Sequence, residues 1–312
     1  ESHAASFALL AYASAWLKCR YPAAFTAAIL NNQPMGFYHP ATLVKDAQRH
    51  GVRIRPVDVA RSQWDCTIEV AEPTRYLRLG LRYVRGLREE AGRAVVAARE
   101  KGPFAGIDDL ARRVPALRKD EMATLAEAGA LNFIRREAAP LHRRDALWHA
   151  ARAVRPAGEM FSASLQEEGP SPLAPMTPEE RLEADYRDTG LTIGPHPMSQ
   201  RREELRGRGV LRAADLLRLP DGLHVKAAGA VICRQRPGTA KGFLFLSLED
   251  ETGIANAIVT PDLFDANRGV LVGEPFILVE GTLQNQDGVV SVKVQRVEPC
   301  PRGAAVPSHD FH

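Results

Sequence analysis

Between residues 224 and 297 the chain alternates apolar and polar side chains in five short runs, and no other feature limits its possible fold as tightly. The runs cover 225–235, 243–248, 254–259, 276–283 and 289–297. Period-two alternation marks a strand with one buried face. One helix-like piece, 261–270, lies between the third and fourth runs. Five strands with a helix inserted at that point is the order of an OB-fold, a partly open barrel that binds oligonucleotides. The hairpin around Pro237-Gly238 carries Arg234, Arg236 and Lys241, and the next run carries Phe243 and Phe245. Cations beside aromatics on neighbouring strands can hold phosphates while bases stack. These five residues are candidate single-strand contacts. The two phenylalanines stand two apart and share a face, which either fills the barrel or meets the bases.

Upstream the period is helical. Apolar positions over 4–19 predict a first helix, Pro22 ends it and opens a second over 22–30, and Pro40 opens a third that stops at Gly51. Strand-like pieces follow at 52–59, 64–70 and 76–79. From 80 to 151 short helices are broken at Gly86, Gly102-Pro103, Pro115, Gly129 and Pro140. Short helices joined by glycine turns, with arginines at the turns, suggest helix-hairpin-helix architecture, which aims backbone N–H groups at phosphates. The best candidate is Gly80-Leu-Arg-Tyr-Val-Arg-Gly86-Leu-Arg88, making Arg82, Arg85, Gly86 and Arg88 candidate duplex contacts. The pattern wants a second glycine where Arg88 stands. Residues 155–177, rich in proline, glycine and small polar side chains, read as a linker or mobile loop. A polar helix over 178–188 and an arginine-rich helix beyond Pro197 complete the reading.

Composition adds limits. With 312 residues, two or three domains can each bury a core. A net charge of +3 is compatible with nucleic acid without arguing for it. The arginines are grouped at Arg112, Arg113, Arg118 with Lys119, at Arg135, Arg136, Arg143, Arg144, and at Arg201, Arg202, Arg206, Arg208. Each group reads most simply as a solvated helix face. The same holds for the acids Asp108-Asp109 and Glu249-Asp-Glu251, read as solvated turns. Four cysteines without CxxC spacing offer neither a zinc site nor a disulfide framework, which predicts a cytoplasmic setting. The chain opens without methionine directly into an apolar helix, so its start is expected to be a cut inside a domain.

The run Glu1-Ser-His-Ala-Ala-Ser-Phe-Ala-Leu-Leu-Ala-Tyr-Ala-Ser-Ala-Trp-Leu-Lys18, with Tyr21-Pro-Ala-Ala-Phe25, resembles the fingers region of C-family bacterial DNA polymerases, the family of the DNA polymerase III alpha subunit. Leu30-Asn-Asn-Gln-Pro-Met-Gly-Phe-Tyr38, Arg55-Pro-Val-Asp58 and the ending Ser308-His-Asp-Phe-His312 are similar to its error-prone branch, linked to damage-induced mutagenesis. The resemblance covers essentially the whole chain. It implies a multidomain α+β segment: 1–79 the C-terminal part of the fingers, 80–154 a helix-hairpin-helix region, 155–222 a linker with connecting helices, 223–298 an OB-fold barrel and 299–312 a tail. It implies fingers contacts to nucleotide or template at Ser2, His3, Lys18 and Arg20. It also implies that the palm aspartates, with their magnesium and dNTP, lie upstream, so no catalytic or metal-ligating residue is assigned here and this chain alone is expected to be inactive. Expected partners are primer-template duplex, single-stranded template and accessory mutagenesis proteins. Where high-fidelity relatives carry a clamp-binding pentapeptide beginning with glutamine, this chain has Ala157-Gly-Glu-Met-Phe161, so direct sliding-clamp binding is expected to be weak or absent. The alternative is a stand-alone, non-catalytic hairpin and OB-fold nucleic-acid-binding protein.

Overall fold

The computed structural model describes residues 2–35, 38–134, 141–153, 171–286, 288–300 and 309–311. The chain divides into two units, 1–33 with 51–190, and 34–50 with 191–312. No helix among the described residues is long and apolar enough to cross a membrane.

In the first unit, α1 (Ser2–Arg20) and α2 (Pro22–Asn31) meet at Pro22, which holds the N-terminal position of α2. From His3 to Arg20 α1 is exposed, apolar side chains such as Phe7, Tyr12 and Trp16 included. A three-stranded sheet follows, built from β1 (Arg53–Arg55), β2 (Thr67–Ala71) and β3 (Thr74–Arg78) in the order β1-β3-β2, with β1 parallel and β2 antiparallel to β3. Alternation gives the sheet an apolar row, Ile54, Leu77 and Ile68 in register, with Leu77 fully buried. Then come α4 (Glu89–Glu100), α5 (Ile107–Arg113), α6 (Lys119–Glu127), α7 (Arg143–Ala153) and α8 (Pro178–Thr189). Leu81, Val84, Val95, Leu110, Met122, Leu125, Leu131 and Ile134 form their core, each at most 1% exposed. The chain changes unit at 33–34, 50–51 and 190–191. The clamp-like pentapeptide at 157–161, Arg135 and Arg136 lie outside the described residues.

The second unit is a barrel with a helical base. Its strands are β4 (His224–Gln235), β5 (Leu244–Glu249), β6 (Ile254–Val259), β7 (Phe276–Gln286) and β8 (Val289–Pro299). They run in the order β5-β6-β8-β7-β4, and a β4–β5 pairing closes the ring, with β6–β8 the one parallel pair among the five. The short β9 (His309–Phe311) lies parallel on β4. Leu244, Leu246, Leu248, Ala257, Val259, Ile277, Val279, Leu283, Val292 and Val294 point inward, none more than 3% exposed. At the β7–β8 irregularity after Glu280, the close approach of the strands demands glycine: a Cβ on Gly281 would lie 2.1 Å from the Lys293 carbonyl oxygen. The helix expected over 261–270 is two short ones, α11 (Pro261–Ala266) and α12 (Arg268–Gly273), hinged at Asn267.

At the base, α3 (Pro40–Arg49) is capped by His39, whose ring accepts the Ala41 N–H. It joins the barrel through Lys45 to the Gly194 carbonyl (2.5 Å), Gln48 to the Ile193 carbonyl (2.8 Å) and Arg49 to Glu249 (2.9 Å). The helices α9 (Arg202–Gly207) and α10 (Ala213–Leu216) are held by the β5–β6 turn. Glu249 and Asp250, expected in solvent, are each 1% exposed. Asp250 Oδ1 accepts Thr252 N, Thr252 Oγ1 and Gly253 N, while Oδ2 accepts Ala213 N at 2.8 Å and Arg202 Nη2 at 3.1 Å. A short acidic turn is buried because helical segments 35 or more residues away in sequence supply donors for its oxygens.

Candidate nucleic-acid interface

The leucines at 244, 246 and 248 occupy the inward side of β5, which turns Phe245 outward, 38% exposed. Strand register then builds the surface. One row runs Phe245, Ile258, Lys293 across β5, β6 and β8; the next runs Ser247, Asn256, Ser291. Asn256 and Lys293 are exposed, and Ile254 adds apolar surface at the end of β6. An aromatic ring, an aliphatic neighbour, an ammonium and a polar row form a stacking platform with a cation beside it. Ser247, Asn256 and Lys293 were not singled out from sequence. Alternation could have flagged the first two, but Lys293 joins the row only through the parallel β6–β8 pairing.

The other single-strand candidates divide. Arg234 is 8% exposed, and its Nε and Nη2 donate to the carbonyls of Leu271 (2.8 Å) and Glu274 (2.7 Å) at the end of α12. It braces the barrel from inside. Arg236 lies over the Phe264 ring at 4.2 Å and donates to the Gly242 carbonyl. Lys241 is exposed in a left-handed turn (φ 50°), and Phe243 is partly buried just before β5.

In the first unit Gly86 makes the expected turn with φ 76° and open space around it. Arg85 is exposed and donates to the Arg187 carbonyl. Arg82 is drawn inward, donating to the Asn31 carbonyl at 2.6 Å and the Asp65 carboxylate at 2.9 Å. Arg88 is tied to Glu121, whose carboxylate is 2% exposed. Glu121 accepts the backbone N–H of Arg88 (3.0 Å) and of Arg118 (2.8 Å) together with two guanidinium nitrogens of Arg88. Arg88 also donates to the Ala116 carbonyl in the turn before α6 (2.6 Å). One buried carboxylate thus joins the turns before α4 and α6 by accepting their backbone N–H groups. Burial pushes the Glu121 carboxyl up, but the Arg88 hydrogen bonds and the two N–H groups outweigh it and hold it below the usual range.

The arginine groups of the sequence are largely cross-braces. Arg112 and Arg113 pair with Asp109, Arg143 with Asp185, Arg144 with Glu180, Arg202 with Asp250 and Glu251, and Arg208 with Glu298. The fingers candidates are not gathered. His3, packed on Phe7 at 4.5 Å, and Lys18 stand fifteen positions apart on α1, about 22 Å along its axis. Ser2 opens that helix and Arg20, exposed, closes it. Among the described residues no three His, Cys, Asp or Glu side chains come together as a metal site would require.

Comparison with known families matches residues 51–141 to the helix-hairpin-helix motif and residues 225–299 to the OB-fold nucleic acid binding domain. The chain is thus a helix-hairpin-helix and OB-fold protein. Over 322 aligned residues it is 46% identical to the error-prone DNA polymerase of Anaeromyxobacter sp. (strain K), an alignment covering 100% of this chain and 28% of that protein. Over 321 it is 47% identical to the error-prone DNA polymerase of Azoarcus sp. (strain BH72), covering 100% and 30%. Along its whole length the chain is thus similar to the C-terminal region of error-prone DNA polymerases, and it spans under a third of their length. Among solved structures, the asparaginyl-tRNA synthetase of Pyrococcus horikoshii aligns over 31% of this chain and 23% of its own at 24% identity, with a TM-score of 0.25, too slight a likeness to carry an argument.

Proposed function

We propose that this chain is the nucleic-acid-holding segment of an error-prone, DNA-directed DNA polymerase of damage-induced mutagenesis, and that its barrel binds the single-stranded template. The observation that carries this reading is the outward row Phe245, Ile258, Lys293 on the barrel strands. In OB-folds, the strands corresponding to β5 and β6 form the ligand face, and stacking on an exposed aromatic tolerates any base. A polymerase copying damaged templates needs that tolerance. The hairpin unit would hold duplex DNA through Arg85 and the Gly86 turn, while α1 and α2 would contribute to the fingers. The magnesium ions and dNTP of the intact polymerase would be held outside this segment. Accessory mutagenesis proteins would recruit the enzyme; a peptide spanning 155–165 should show no nanomolar binding to a sliding clamp in a titration.

The test is titration of a fluorescent oligothymidylate with the 312-residue chain. Phe245→Ala should weaken binding by about 1–3 kcal/mol, or roughly 5- to 150-fold, while leaving the salt dependence unchanged. Lys293→Ala should reduce the slope of log K against log salt by about 0.7, the value for one lost phosphate contact on a single strand. Wild-type affinity in Phe245→Ala would remove the barrel face from the template side.

A further inference from the structure

The three-stranded sheet of the first unit has a face with no assigned role. Opposite the apolar row of Ile54, Leu77 and Ile68, alternation places Arg53, Tyr76 and Glu69 in one row and Arg55, Arg78 and Thr67 in the next. The guanidinium of Arg55 lies over the Tyr76 ring, 3.8 Å from its centroid. Glu69 is shared between Arg55 and Arg78, with 2.7 Å to Arg78 Nε. Arg78 is buried and also donates to the Pro56 carbonyl at 2.8 Å. Its charge is absorbed inside. Three guanidiniums therefore face one carboxylate, and the surplus lies toward solvent. Arg53, on the edge strand, is exposed and forms no salt bridge among the described residues.

Arg55 thus stacks on an aromatic ring, and a second arginine, without a carboxylate partner among the described residues, stands one row along on the same face. A guanidinium stacked on an aromatic is pre-organised, so less entropy is lost when it accepts a phosphate. We infer that the Arg53, Arg55 and Tyr76 face of this sheet is a further contact for the phosphodiester backbone of single-stranded nucleic acid, separate from the hairpin turns and from the barrel. Arg53 supplies a charge that no carboxylate neutralises among the described residues, Arg55 the oriented fork, and the Tyr76 hydroxyl a donor to a phosphate oxygen. Consistent with that crowding of cations, hydrogen bonding from Arg53 and then Arg55 holds the Tyr76 phenol below its ordinary range. The inference rests on the reading of the chain as nucleic-acid-binding, but it concerns a different surface from the one that carries that reading.

The experiment uses the full chain and fluorescent oligothymidylate across a range of salt, with Phe245→Ala run in parallel. Arg53→Ala should lower affinity about 3- to 10-fold and reduce the salt slope by about 0.7, whereas Arg53→Lys should restore the slope. Tyr76→Phe should lower affinity about threefold without changing the slope, since a donor and not a charge is lost. Both positions are at least partly open to solvent, so unchanged circular dichroism and melting temperature separate lost contact from lost fold. Unchanged affinity and slope in Arg53→Ala, with Phe245→Ala weakened, overturns the sheet contact and leaves the barrel reading standing. The reverse pattern supports the sheet and overturns the barrel. A wild-type chain that binds oligothymidylate at no salt concentration overturns both. If Arg53→Ala loses affinity for polyglutamate and keeps its full salt slope on DNA, the face is a site for acidic peptides and the inference fails.

Discussion

Replacing Asp250 by alanine should destabilise the C-terminal unit by about 3–5 kcal/mol, the usual loss when one partner of a buried, hydrogen-bonded charge pair is removed. Asp250 is 1% exposed, and its two oxygens answer five donors. Removing them leaves the Ala213 N–H buried without an acceptor and strips Arg202, whose side chain is 11% exposed, of one of its two carboxylates. Asn should recover little. Its amide can keep one oxygen toward Thr252 and Gly253, but then turns an NH2 toward Ala213 N and Arg202, donor against donor. Domains of this size are stable by about 5–15 kcal/mol, so the loss should bring the barrel close to unfolding at ordinary temperature. Urea denaturation followed by far-ultraviolet circular dichroism measures it. A loss under about 1 kcal/mol would show that the turn is not held by its carboxylate.

The second large effect lies in the hairpin unit. Glu121→Ala should destabilise it by about 3 kcal/mol, because the N–H groups of Arg88 and Arg118 lose their acceptor as a buried volume opens. The same carboxylate makes a pH prediction. Its folded-state pKa is held below the ordinary carboxylate range. A depressed acid contributes stability that is fully present above its unfolded value and is lost as pH falls through the folded one. Wild type should therefore lose stability below about pH 4.5, and Glu121→Gln should lose less over that window. Denaturation midpoints at pH 7 and pH 3.5 test the sign. Parallel pH curves for wild type and Glu121→Gln would rule out Glu121 as the titrating group. A gain in duplex affinity in Glu121→Gln would further indicate that the carboxylate competes with phosphate for the two turn amides.

Much of the architecture was legible in the sequence because it rests on local rules. Alternation located all five barrel strands to within a few residues, and the prolines at 22, 40 and 178 mark helix starts where they were expected. The left-handed turn at Gly86 was also local. Phe245 illustrates a local signal with two readings. Its shared face with Phe243 could fill the barrel or meet the bases, and the three leucines at 244, 246 and 248, which claim the barrel interior, turn the Phe245 ring outward. Arg234 is the opposite case. It stands beside a turn with two other cations, and only the fold brings the carbonyl end of α12, some 40 residues on, against it.

By itself the sequence determined the barrel, the helical hairpin region and the similarity to error-prone DNA polymerases, since periodicity, turn chemistry and identity along the chain need no third dimension. Only the tertiary structure decided what the charges do. Arginines that cluster in sequence are dispersed onto separate carboxylates, the acids at 249 and 250 are buried, and Lys293 is brought beside Phe245. A charge in a fold acts through its neighbours in space, and long-range strand register and helix docking choose those neighbours.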